Sequence, residues 1–159
     1  MPFTLIKPIS KTRAFYNKQD IVLRDRFLMQ LALVQAQLAG CCSEVPVGAV
    51  LVIGQQIWMS FNAPIATHDP TSHAEIRVLR HAALAVKNYR LPNAELFCTL
   101  EPCAMCLEAI KQARITRVVY GCNATKWPNV KLNSHKVAAN DLSAHCLSVL
   151  QNFFKTKRG

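Results

Sequence analysis

Residues 95–121 read ELFCTLEPCAMCLEAIKQARITRVVYG, and the fold turns on how this stretch is parsed. Glu95 to Leu100 is a short apolar run, which suits a buried strand. Glu101-Pro102 ends it, and a helix is expected to begin there, because proline at the first helical position loses no hydrogen bond that the helix needs. Cys103 and Cys106 then fall in the opening turn of that helix. Thr116 to Gly121 reads as a second strand, with Val118 and Val119 at its core. Strand, helix and strand in so short a stretch imply a crossover between parallel strands, and hence an α/β protein with helices laid against a sheet.

Upstream, Ile76, Leu79, Ala83 and Val86 recur at helical spacing, with Thr71 or Ser72 as the expected N-cap, so His73 and Glu75 lie in that helix's first turn. Asn62 to Pro70 is a polar, proline-containing loop. Before it, Val47 to Ile53 is apolar and β-branched, Gly54-Gln55-Gln56 reads as a turn, and Ile57 to Phe61 returns as an antiparallel partner. Earlier still, Phe27, Leu31, Val34 and Leu38 mark the apolar face of a first helix that Gly40 is expected to stop. Downstream, residues 122–140 are polar and receive no element, and a last helix runs from Asp141 to about Lys157 with Leu142, Cys146, Val149 and Phe153 on one face. The expected organisation is one domain over residues 21–159, preceded by a basic, irregular arm over residues 1–20.

A chain of 159 residues, 51% of them hydrophobic, has enough apolar material for one core, which excludes disorder as its resting state. The longest apolar stretch, Val45 to Gly54, is ten residues and contains Pro46 and Gly48, too short and too interrupted to span a bilayer. The seven cysteines lack the regular spacing of a disulfide-stapled secreted module, and the amino-terminal residues lack the apolar core of a secretory signal, so a reduced, cytoplasmic setting is expected. Net charge is +10, and it is uneven: residues 1–40 carry +4, residues 41–100 are neutral and residues 101–159 carry +6. Such an excess at the two ends fits a polyanionic partner, nucleic acid or an acidic surface, around a neutral middle.

The chemistry spans that middle and the start of the segment that follows it, with His73 and Glu75 in the first and Cys103 and Cys106 in the second. Two cysteines three apart at a helix start can turn both sulfurs to one side, where the unpaired N–H groups of the helix end favour thiolates. Alone, Cys103 and Cys106 fit a metal site, a redox pair or two core residues. His73, at the start of the preceding helix, makes the metal reading the strongest: two thiolates and a neutral imidazole hold one Zn2+ with no net charge and leave a fourth position for water, whose pKa falls to about 7. Glu75, two residues from the histidine, can stand beside the metal without ligating it and move protons. A purely structural zinc would recruit a fourth ligand, for which Cys98, Cys122, His68 or His135 would be the candidates.

His73-Ala74-Glu75 followed by Pro102-Cys103-Ala104-Met105-Cys106 resembles the H-x-E and P-C-x-x-C signature of zinc nucleobase deaminases. The flanking stretches 44–50 (EVPVGAV), 62–65 (NAPI), 68–76 (HDPTSHAEI) and 99–103 (TLEPC) resemble the bacterial tRNA-specific adenosine deaminases from about residue 24 to 126 and again at the terminal helix. That resemblance implies a three-layer α/β/α cytidine-deaminase-like fold with a central mixed sheet and a C-terminal helix. It implies a homodimer that converts adenosine to inosine at the wobble position of a tRNA anticodon stem-loop. It also implies that Asn62 bonds the flipped base, that Ala74 contacts it through its backbone, and that Phe154, Lys157 and Arg158 hold the anticodon loop. Asn123-Ala124 stand where the family often has Arg-Asp, and Trp127-Pro128 where it has Thr-Gly. Two other readings remain open on the residues alone: a deaminase of a free guanine, cytidine or adenosine type base or nucleoside, and a non-catalytic, zinc-stabilised nucleic-acid-binding protein.

Overall fold

The computed structural model describes residues 18–124, 134–136 and 140–158, with side chains at 19–124 and 142–157. The elements run α1 (Lys18–Cys41), β1 (Gly48–Ile53), β2 (Gln56–Phe61), α2 (Pro64–Thr67), α3 (Ala74–Val86), β3 (Glu95–Leu100), α4 (Ala104–Gln112), β4 (Arg117–Cys122), β5 (Ser134–Lys136) and α5 (Asn140–Arg158). The five strands form one sheet in the order β2-β1-β3-β4-β5. β1 is antiparallel to both β2 and β3, whereas β3, β4 and β5 are mutually parallel, as the 95–121 stretch requires. Every residue of β1 except Ile53, and the interior of β3, is buried on both faces, which only helices on both sides can achieve. α1 packs with α5, and α3 with α4, giving the three layers.

α1 departs from expectation in its orientation. Its buried face is Leu28, Met29, Ala32, Leu33, Ala36 and Ala39, while Phe27, Val34 and Leu38 of the expected stripe are exposed and Leu31 is half-buried. The reason lies in β1. A Cβ on Gly48 would stand 2.0 Å from the Ala32 carbonyl oxygen and 2.6 Å from the Ala36 nitrogen, so helix and strand backbones touch and only the alanine face of α1 fits. The helix begins at Lys18, inside the stretch expected to be an irregular arm, and residues 1–17 lie outside the described residues.

Other boundaries shift less. The loop expected over 62–70 contains the one-turn helix α2, favoured by Pro64 at its start. α4 starts at Ala104, with Cys103 as N-cap and Pro102 ahead of it. β4 and β5 pair over Val118–Tyr120 and Ser134–Lys136, a strand that polar sequence concealed. Against β4, Gly121 leaves room for α5, since a Cβ there would sit 2.3 Å from Cys146 Sγ. At the amino-terminal ends of β3 and β4, Arg117 bonds Asp25 and Glu95, and Arg24 bonds Glu95 at 2.7 Å, so one half-buried cluster ties α1 to both strands.

Candidate active site

The topology fixes where the chemistry sits. β2 and β3 are both antiparallel to β1 and therefore point the same way, and β4 is parallel to β3. The crossovers β2–α3–β3 and β3–α4–β4 thus put the amino-terminal ends of α3 and α4 side by side, at the carboxyl ends of the strands, where open α/β sheets bind ligands. His73 is the N-cap of α3 and Cys103 the N-cap of α4, and neither helix start carries a side-chain capping bond. Thr71 and Ser72, the expected caps, are used elsewhere. Thr71 donates its N–H and its hydroxyl to Asp69 at 2.8 and 2.7 Å, the Ser72 backbone carbonyl accepts the Ala63 N–H, and the chain enters α3 one residue later, with His73 as N-cap.

His73 Nδ1 lies 3.7 Å from Cys103 Sγ and 3.6 Å from Cys106 Sγ. Tetrahedral zinc with Zn–S of about 2.3 Å and Zn–N of about 2.0–2.1 Å separates its sulfur and nitrogen ligands by roughly 3.6 Å. The three ligand atoms therefore stand at the corners of a zinc coordination sphere. The thiols polarise one another: bonds from Cys106 and then His73 hold the Cys103 thiol down at about 4, while the bond shared with Cys103, and then burial, push Cys106 well up. A dication held by these three side chains would take both sulfurs as thiolates and so remove this asymmetry.

Glu75 is buried, 3% exposed, and its Oε2 is without a hydrogen-bond partner. Burial raises its pKa, against a smaller lowering by its own backbone and by His73. A carboxyl desolvated in this way is costly unless something pairs with it, so an unsatisfied oxygen beside a metal triad marks the place where a water or substrate atom belongs. Asn62, directly after β2, is buried, and its Oδ1 accepts the Ala74 N–H at 2.8 Å. Its amide nitrogen is left as the side chain's donor. Ala74, fully buried, thus has its N–H committed to Asn62, and the two residues expected at the base are wired to each other.

Among the described residues the cluster has three members, His73, Cys103 and Cys106. Of the expected alternative ligands, Cys98 points at the Val119 carbonyl at 3.7 Å and Cys122 at the Thr99 carbonyl at 3.3 Å, His68 is exposed, and the His135 side chain lies outside the described residues. The terminal-helix residues stand apart on α5. Phe154 is 43% exposed and edge-on to Phe153 at 5.5 Å, and Lys157 Nζ lies 5.7 Å from the Phe153 ring. Arg158 ends α5 with its side chain outside the described residues, as is Trp127-Pro128, while the Ala124 N–H bonds Glu101. Two charged residues that sequence reading passed over, Glu44 and Arg77, frame the Asn62 segment. A lone acid abutting the apolar run 45–53 is the signal that could have flagged Glu44.

Three side chains placed to hold a metal, with a buried carboxyl outside their set, match the layout of catalytic zinc, and on this fold that layout is the one zinc-dependent deaminases use. Residues 23–122 match the family described as the cytidine and deoxycytidylate deaminase zinc-binding region. The chain is similar to a tRNA-specific adenosine deaminase of Buchnera aphidicola subsp. Baizongia pistaciae, with 39% identity over 146 residues, 84% of this chain and 90% of the relative. It also superposes on a solved tRNA:A34 deaminase with TM-score 0.69 and 39% identity, over 76% of this chain and 99% of that one. A guanine deaminase from Bacillus subtilis superposes with TM-score 0.60 and 32% identity, over 63% and 65% of the two chains. The chain belongs to this zinc deaminase family, within its tRNA-specific adenosine deaminases.

Proposed function

We propose that this protein deaminates adenosine to inosine at the wobble position of a tRNA anticodon loop. The chemistry rests on one observation above the others: the buried Glu75 carboxyl, its Oε2 without a hydrogen-bond partner, beside the His73/Cys103/Cys106 cluster. The choice of adenosine in tRNA is supported by the relatives, which carry that activity in their names at 39% identity over most of both chains. Zinc, when bound, supplies a Lewis acid that makes water a nucleophile at neutral pH. His73, Cys103 and Cys106 hold it. Glu75 accepts one proton of the attacking water and delivers it to the purine ring nitrogen N1, then takes the proton of the hydroxyl newly attached to C6 and passes it to the amino group, so that the C6–N bond breaks, ammonia leaves and C6 keeps the oxygen as a carbonyl. Asn62 donates its amide N–H to the flipped base, and Ala74 fixes the amide in that orientation.

The RNA is gripped by Phe154, Lys157 and Arg158. An exposed aromatic ring among cations stacks an unpaired base, a contact worth about 1–3 kcal/mol. The protein acts as a homodimer, supported by exposed Leu84 on α3 and Met105 on α4, apolar surface that a second copy would cover. The cytoplasm is its site, in keeping with seven free cysteines and with the absence, among the described residues, of a helix long and apolar enough to cross a membrane. The likeness to a guanine deaminase favours a second reading, in which a free purine base is the substrate. Zinc-loaded protein offered an anticodon stem-loop with adenosine at the wobble position, alongside free guanine, adenosine and cytidine, separates the two. Inosine in the stem-loop supports the first, and product from the small molecules alone refutes it.

A further inference from the structure

Asn62 does not hold itself. Its N–H bonds the Val47 carbonyl and its Oδ1 bonds Ala74, but the chain on either side of it is gripped from outside by two charged side chains. On the near side, Arg77 of α3 donates to the carbonyl of Phe61 and lays its guanidinium 5.0 Å from the Phe61 ring centre. On the far side, Glu44, 1% exposed in the turn after α1, accepts the N–H of Ala66 at 2.8 Å. Ala66 lies in α2, whose N-cap, Ala63, has no side chain able to take that N–H. The two charges are of opposite sign, and the Glu44 carboxylate opposes the lowering that burial imposes on the Arg77 pKa.

A carboxylate is an expensive choice for this task. Closing a one-turn helix needs only a serine or aspartate at position 63, with no charge brought into the interior, whereas a buried charge must be paired and fully bonded to be tolerated. What the buried arrangement adds is reach: Glu44 ties α2 to the end of α1, and Arg77 ties β2 to α3 one turn beyond His73. We propose that Glu44 and Arg77 are positioning residues that clamp the 61–66 segment at both ends, and so set the direction in which the Asn62 amide meets the substrate base. The proposal rests on the reading of Asn62 given under Proposed function. Neither residue touches substrate, and their effect passes through Asn62.

A double-mutant cycle on the zinc-loaded protein tests this, with the adenosine-bearing stem-loop as substrate and zinc content measured for each variant. Loss of an interaction that serves binding equally in ground and transition states raises KM and spares kcat. E44A is therefore expected to raise KM about tenfold with kcat within about threefold and zinc retained, and N62A to do much the same. E44A/N62A is then no worse than N62A by more than about twofold, because a positioning residue has nothing left to position. E44Q, which keeps an acceptor for the Ala66 N–H, restores KM to within about threefold of the parent. Effects of E44A and N62A that multiply, or an E44A variant with parental KM, overturn the clamp. If E44A fails to fold, R77M takes its place in the same cycle with the same two outcomes deciding. A parent protein that makes no inosine refutes the proposed function instead, and is distinguishable because the clamp is judged only against parental turnover.

Discussion

At the residue scale, the proposed site divides into atoms that would hold the metal and one that would move protons. Glu75→Gln keeps the size of the side chain and removes its basicity, so it is expected to lower kcat by about 10²–10⁴-fold, the usual share of general acid–base catalysis, while the protein still binds one zinc per chain. Stopped or multiple-turnover deamination with parallel metal analysis checks this, and full-rate turnover by the variant contradicts the assignment. His73, Glu75, Cys103 and Cys106 were legible in the sequence because each is fixed by a short local spacing at a helix start, and helix starts are what local sequence specifies best. Glu44 and Arg77 were not, because their partners, Ala66 and Phe61, are brought to them by the tertiary fold. The resemblance places the Ala74 backbone at the base, and the structure adds that its N–H is bonded to Asn62, a pairing across 12 residues that no spacing rule encodes.

At the scale of elements, close approach of backbones decides the architecture. Gly48→Ala forces a methyl group into the Ala32 carbonyl and the Ala36 nitrogen and is expected to cost about 1–3 kcal/mol of stability, the range for overpacking, read as a lowered denaturant midpoint. An unchanged midpoint would mean that α1 does not lie on β1 as described. The cluster of Arg24, Arg117, Asp25 and Glu95 makes a second prediction, with a sign. Burial alone would raise the Glu95 pKa, but bonds from Arg24 and Arg117 outweigh it and the net shift is downward. The unfolded chain therefore takes up this proton first as pH falls. The stabilisation is complete at neutral pH, begins to decline in the ordinary glutamate range, and is lost once pH passes below the depressed folded-state value. Glu95→Gln should lower the neutral-pH midpoint and flatten its acid limb, and a parallel pair of pH profiles would contradict the account. The strands were legible because β1, β3 and β4 are continuous apolar runs. The face of α1 was not: from Phe27 to Cys41 the helix has no charge and is apolar on both sides, so periodicity could not choose between them, and Gly48 did.

At the scale of the molecule, the neutral middle of the chain supplies His73 and Glu75, Cys103 and Cys106 follow directly after it, and the cationic carboxyl-terminal segment ends on α5, in the layer opposite α3 and α4. That separation of chemistry from grip implies that the two can be dissected. Removing residues 153–159 is expected to raise KM for a stem-loop about tenfold or more, to make the remaining affinity less dependent on salt through the loss of Lys155, Lys157 and Arg158, and to leave zinc content unchanged. Equal loss at all salt concentrations would assign the segment to folding. The sequence conveyed the charge excess and its uneven placement, but not a geometry for it, since surface charge reports on association and leaves the fold unspecified. The central claim is hydrolytic deamination of a wobble adenosine at the His73/Cys103/Cys106 centre with Glu75 as proton carrier, and the most direct test is turnover of an adenosine-bearing anticodon stem-loop in water enriched in oxygen-18. The account predicts inosine at the wobble position with the heavy isotope at O6, formed by the parent protein and nearly abolished by Glu75→Gln. Unchanged adenosine in the stem-loop, with free guanine converted in its place, would contradict it.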